Sequence, residues 1–147
     1  MSSGDPFDLN RFLAAQEGVY STALAEIVQG RKLSHWIWYI FPQIDGLGFS
    51  AMSKRYAIKS DDEARAYLEH PILGLRLREC AEAVRRIEDR TASQIFGSPD
   101  DMKLRSCLTL FAAVSPHGSL FHELLEKYYQ GEPDEATLRL LGIDSLE

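Results

Sequence analysis

The sequence predicts an all-α fold, a compact single domain of about seven short-to-medium helices over residues 8–147, and three observations predict it. Apolar residues recur with a period near 3.6 along most of the chain, cap and stop residues punctuate the periods, and no second strand-like run follows the single one near Trp36. At 147 residues, 45% of them hydrophobic, the chain suffices for one core, and the linkers between periodic segments are too short for a domain boundary. Residues 1–7 lack periodicity and are expected to be poorly ordered.

The first periodic segment is Leu9, Phe12, Leu13, Gln16, Tyr20, Ala23, Leu24 and Ile27, read as one helix ended by Gly30. Ser34 is placed to cap a short Trp-rich helix that Pro42 stops. A loop with Gly46 and Gly48 leads to Ser50 and a basic helix reaching Tyr56. Ser60 and Glu63 form a capping-box pattern for a helix ending near His70, and Pro71 opens the next, with the stripe Leu73, Leu77, Cys80, Val84 and Ile87. Thr91 and Gln94 cap a single turn closed by Gly97. Ser98-Pro99-Asp100-Asp101 starts a helix to about Ser115, and two more follow, over about 119–130 and from Asp134 through Leu141. Trp36 to Phe41 also reads as a buried strand, which would make Gly46-Leu47-Gly48-Phe49-Ser50-Ala51 imitate a dinucleotide fingerprint; no βαβ unit is completed downstream.

Net charge is −6, which argues against duplex nucleic acid as a partner. Residues 31–78 nevertheless carry eight Lys or Arg against five Asp or Glu, enough for a local patch that attracts a small anion. No stretch of eighteen apolar residues or leader pattern occurs, so no membrane association and a cytoplasmic location are expected. Cys80 and Cys107 fall on apolar helix faces and read as core thiols, and neither cysteine nor histidine spacing fits a metal site. No cofactor is indicated.

Candidate site residues come from polar groups on apolar faces. In the segment Gly30–Gln43, Arg31, Lys32, His35 and Tyr39 surround the indoles of Trp36 and Trp38; His35 and Tyr39 form the one polar line of an otherwise apolar helix, placing His35 at the core edge. Gln16 and Tyr20 interrupt the first stripe. Lys103 interrupts the stripe after Pro99 and requires a partner, for which Asp100 is placed one turn earlier; Asp101 and Arg105 form a second i,i+4 pair. These groups either line a concave pocket for a small anionic, nucleotide-like ligand or form a polar network that fixes helix packing. A protein-interaction or regulatory module is the non-enzymatic alternative. No nucleophilic triad is apparent, Ser34 reading as a cap and His117 and His122 as exposed.

GRKLSHWIWYIFPQIDGLG, the YAI at Tyr56, DEARAYLEHPILGLRLREC, IFGSPDDMKLRS and TLRLLG together resemble the bacterial domain-of-unknown-function family numbered eighteen-ten. The resemblance covers about residues 8–142 and implies a mainly helical single domain with no established activity. Cys107 stands where many relatives are expected to have a serine. In the order of its helical segments the chain is also similar to helical N-glycosidases acting on ADP-ribose or riboflavin-pathway intermediates. That similarity implies Asp100 or Asp101 at a ribosyl centre, Arg31, Lys32 or Lys103 on phosphates, and a base stacked on Trp36 or Trp38.

Overall fold

A computed structural model describes residues 5–146, and the fold among them is all-α. Ten helices follow one another: α1 (Asn10–Gln16), α2 (Tyr20–Val28), α3 (Ile37–Ile40), α4 (Ala51–Arg55), α5 (Asp61–Glu69), α6 (Leu73–Arg86), α7 (Ala92–Phe96), α8 (Asp100–Ala113), α9 (Leu120–Tyr129) and α10 (Glu135–Leu141). The β geometry among the described residues is limited to a single parallel bridge between Ile44 and Ile58. No helix of the described residues is long and apolar enough to cross a membrane.

The centre of the fold is α8, which buries Leu104 and every residue from Ser106 to Ala112, so its second half is enclosed on all sides while the charged residues stand in its first half. Around it pack α3, α5, α7, α9 and α10, while α6 lies against α2, α5 and α9. Ser106 and Thr109, polar yet buried, return their hydroxyls to the carbonyls of Met102 and Arg105 one turn earlier. The stripe expected on α6 is buried as read, from Leu73 through Ile87.

Local cap chemistry places most helix ends. Ser50, Ser60, Thr91, Ser119 and Asp134 each accept a backbone N–H at their N-cap, and Thr91 with Gln94 completes a capping box. Gly30 ends α2 at φ 83°, with its own N–H on the Ile27 carbonyl and that of Arg31 on the Glu26 carbonyl. His70, unassigned from the sequence, accepts the Ile72 and Leu73 N–H groups at Nδ1 and so opens α6.

Three expectations are corrected, on the first apolar period, on Trp36–Phe41 with its Ser34 cap, and on the Asp101–Arg105 pair. The first apolar period is two helices: Gly18, at φ 75°, breaks it and lets α1 and α2 approach the core at different angles. With that split the described residues form ten helices. Ser34 caps nothing; Trp36 occupies the N-cap position of α3, a single turn, and the strand reading of Trp36–Phe41 fails with it. The Asp101–Arg105 pair is replaced, because Arg105 reaches across to the Glu132 carbonyl at 2.9 Å and lies over the Tyr129 ring. Of residues 1–7, Asp5 to Phe7 are described, and the Asp5 carboxylate accepts the Leu9 and Asn10 N–H groups; residues 1–4 lie outside the described residues.

Arg11 ties three segments together. Its guanidinium donates to the carbonyls of Phe7, Asp8, Arg55 and Ala57 and meets Glu63 Oε2 at 2.7 Å. Glu63, 1% exposed, also accepts the Lys59 N–H.

Candidate functional site

Glu26, on the buried face of α2, organises the segment that leads to the tryptophans. Its Oε1 accepts the N–H groups of Leu33 and Ser34 and the indole N–H of Trp36, at 2.8, 3.0 and 2.8 Å, and its Oε2 accepts the Ser34 hydroxyl at 2.6 Å. Burial alone would raise this carboxyl. The hydrogen bonds from the Ser34 hydroxyl, the Leu33 N–H, the Trp36 indole and the Ser34 N–H outweigh it and hold the group down at about 2. Sequence reasoning missed Glu26, since a glutamate on an amphipathic helix is ordinarily solvated.

With that segment fixed, the Lys32 N–H bonds the Ile95 carbonyl of α7, and its side chain turns inward. The Lys32 ammonium lies 2.7 Å from Asp100 Oδ2, donates to the Ser34 carbonyl and sits 5.0 Å from the centroid of the Trp36 ring. Lys103, one turn along α8, approaches the other oxygen of Asp100 at 3.6 Å and lies 5.1 Å from the centroid of Trp38. Two ammonium groups thus share one carboxylate. They differ in freedom: the Lys32 side chain is 6% exposed and that of Lys103 is 25% exposed.

The two tryptophans have different positions. Trp36 is fully buried among Phe41 and Phe96, with its N–H satisfied, and offers no face for stacking a ligand. Trp38 is half-buried, and its indole N–H is buried without a hydrogen-bond partner. Trp38 also lines a narrow cleft of about 10 Å³ together with Gln43, Ile44, the Gly46–Gly48 loop, Ser53 and Tyr56. That is room for one water. Tyr56 is held in place by Phe12 and Tyr39, whose ring centroids lie 5.8 and 5.3 Å away.

The other candidates are placed elsewhere. Gln16 is a buried connector, its amide nitrogen on the Tyr39 carbonyl at 2.8 Å and its oxygen accepting from Arg76. Tyr20 donates to Glu79, and burial, ahead of that hydrogen bond, raises its hydroxyl far above the usual range. His35 is exposed rather than at the core edge, with only its carbonyl engaged, by the Tyr39 hydroxyl. Arg31 is exposed. Asp101 accepts the Met102 N–H, and its carbonyl receives the Tyr129 hydroxyl. The structure therefore brings together Lys32, Trp36, Trp38, Asp100 and Lys103, and the sequence did not single out Gln43 or Tyr56.

Among the described residues no group of three or more His, Cys, Asp or Glu is arranged to hold a metal. Cys80 and Cys107 are buried free thiols, and burial pushes Cys80 up to about 12 and Cys107 well up, so neither supplies a thiolate nucleophile. Ser119 and His122 make a contact of 2.7 Å at the start of α9, stacked beside His117. His122 is half-buried rather than exposed, and burial and then His117 lower its pKa.

The family described as "Protein of unknown function (DUF1810)" matches residues 6–141. Among solved structures, the chain is similar to the conserved hypothetical protein Rv1873 from Mycobacterium tuberculosis, determined at 1.38 Å, with 48% identity and a TM-score of 0.92. The similarity covers 95% of this chain and 100% of that one. No curated protein matches. A match over residues 6–141, most of the chain, makes this protein a member of the DUF1810 family.

Proposed function

We propose that the protein binds a small anionic, nucleotide-like ligand at Lys103, beside Trp38. The observation that carries this reading is the sharing of Asp100 by two lysines, which leaves one positive charge in excess at a half-buried position against an indole. Lys32 is fully engaged, so its part is to orient Asp100. Lys103 is the looser cation, and an incoming anion competes for it with a carboxylate oxygen 3.6 Å away. Charge-assisted bonds in a partly dehydrated position contribute about 1.5–3 kcal/mol each.

The similarity to N-glycosidases adds a second reading in which the ligand is turned over. Of the carboxylates implied there, Asp100 is the one paired with the two lysines that lie over the indoles, and in this reading it would stabilise positive charge at a ribosyl centre. Asp101 and His35 remain proposals for that chemistry alone.

The test is a thermal-shift and calorimetric series with pyrophosphate, AMP and ADP-ribose, on the wild type and Lys103→Met. Ligand at 100 times its Kd adds about 2.7 kcal/mol, a rise of several degrees in Tm. Lys103→Met is expected to keep the fold and weaken binding about 10- to 100-fold. A Tm unmoved by every probe would end the anion-site reading and direct attention to protein partners.

A further inference from the structure

We infer that the ligand's second half is a planar ring bearing a carbonyl beside an N–H or NH₂, an imide or carboxamide, read in the cleft between Trp38 and Tyr56 by the Trp38 indole and the Gln43 side chain. This rests on the anion-site reading above, with Trp38 as the shared wall: the Lys103 ammonium lies over its ring, and the same residue lines the cleft.

One buried unpartnered donor carries the inference, with a half-buried carboxamide lining the same cleft beside it. The Trp38 N–H is buried with no acceptor, whereas the indole two residues earlier is satisfied by Glu26. A buried donor without a protein partner is costly in a packed fold and is met by an acceptor from outside, either the single water that the cleft admits or a ligand group that displaces it. The Gln43 carboxamide, in the same cleft, has no side-chain hydrogen-bond partner among the described residues, although its backbone carbonyl accepts the Ile58 N–H at 2.8 Å. Trp38 offers one donor, and Gln43 offers a donor and an acceptor. The complement of that set is a carbonyl oxygen next to an N–H, on a flat group that would lie beside the buried Tyr56 ring.

The cleft admits only a water as it stands, so the ring enters by lifting the Gly46–Gly48 loop. Entry of the ring requires that movement. Gly46 adopts φ 107° and rests on the side chain of Leu140, itself 48% exposed, and Phe49 is 86% exposed. Its ends are fastened by the Asp45 N–H on the Ile58 carbonyl and by Ser50 capping α4.

The experiment compares ribose 5-phosphate, which has the anion and no ring, with uridine monophosphate and nicotinamide mononucleotide, by calorimetry on the wild type, Trp38→Phe, Gln43→Leu and Lys103→Met. Gln43→Leu removes a side chain without a protein hydrogen-bond partner, so its melting midpoint is expected to stay close to the wild type; Trp38→Phe keeps an aromatic ring under Lys103 and against the core while removing the unpartnered N–H. The wild type is expected to bind the two ring compounds at least about tenfold more tightly than ribose 5-phosphate. Gln43→Leu should erase that gain while leaving ribose 5-phosphate unchanged; Trp38→Phe, which also alters the wall beside Lys103, should erase the ratio of ring to ringless affinity whatever it does to ribose 5-phosphate, and Lys103→Met should weaken all three. Equal affinity for ring and ringless compounds, or a gain that survives both cleft substitutions, overturns the ring subsite while the anion site stands. No binding of any of the three overturns both.

Discussion

Replacing Arg11 by methionine is expected to destabilise the fold by about 3–5 kcal/mol, the range found when one member of a buried ion pair is removed. The magnitude follows from what is left behind. Glu63, 1% exposed, would keep its charge with only the Lys59 N–H as a remaining donor. Four backbone carbonyls, of Phe7, Asp8, Arg55 and Ala57, would lose a donor together, loosening the entry to α1 and the exit from α4. Urea denaturation measures the loss as a fall in midpoint. Glu63→Gln combined with Arg11→Met should recover part of it, because the second change removes the stranded charge. A single substitution costing under 1 kcal/mol would show that the pair is solvated and that the guanidinium does not clamp these segments.

Arg11 also marks where sequence reading stops. Helix ends were legible because their chemistry is local: Ser60 with Glu63, Thr91 with Gln94, and Asp134 before an apolar period need no knowledge of the rest of the chain. The capping-box pattern at Ser60 is nevertheless half realised, since the Glu63 carboxylate leaves its own helix start for Arg11 and the Lys59 N–H. The split between α1 and α2 was hidden for a related reason. Gly18 in a continuous 3.6-residue period is tolerable in a helix, and what makes it a break is the demand that Gln16 reach Tyr39, Tyr67 and Arg76, contacts set by distant segments. At the candidate site, Asp100 and Lys103 were legible as neighbours on one helix. Bringing Lys32 to the same carboxylate depends on α7, through the Lys32 N–H on the Ile95 carbonyl, and no periodicity encodes that approach.

Glu26→Gln is the other substitution with a large expected effect, and its pH dependence separates charge from shape. The folded carboxyl is held at about 2, against an ordinary 4.5, so folding favours its ionised form. The stability this contributes is fully present above pH 4.5 and is lost as the pH falls through the interval down to about 2. At about 1.4 kcal/mol for each pH unit of that interval, the contribution is about 3 kcal/mol. Measured by urea midpoint, the wild type should lose stability steeply between pH 5 and pH 2.5 on this group's account, and Glu26→Gln should be less stable at pH 7 and flatter below pH 5. If the two proteins ran parallel across that range, the carboxylate would not be the group that titrates, and its four hydrogen bonds would be equally well made by an amide. The consequence reaches the ligand site, because Glu26 holds Ser34 and Trp36, and these fix the carbonyl and the ring against which Lys32 is placed. A glutamine presents one acceptor where the carboxylate presents two, so either the Ser34 hydroxyl must turn to accept from the new NH₂ or the Leu33 and Ser34 N–H groups and the Trp36 indole lose their acceptor. Lys32 then aims less firmly at Asp100, and ribose 5-phosphate affinity should fall several-fold although Glu26 never meets the ligand.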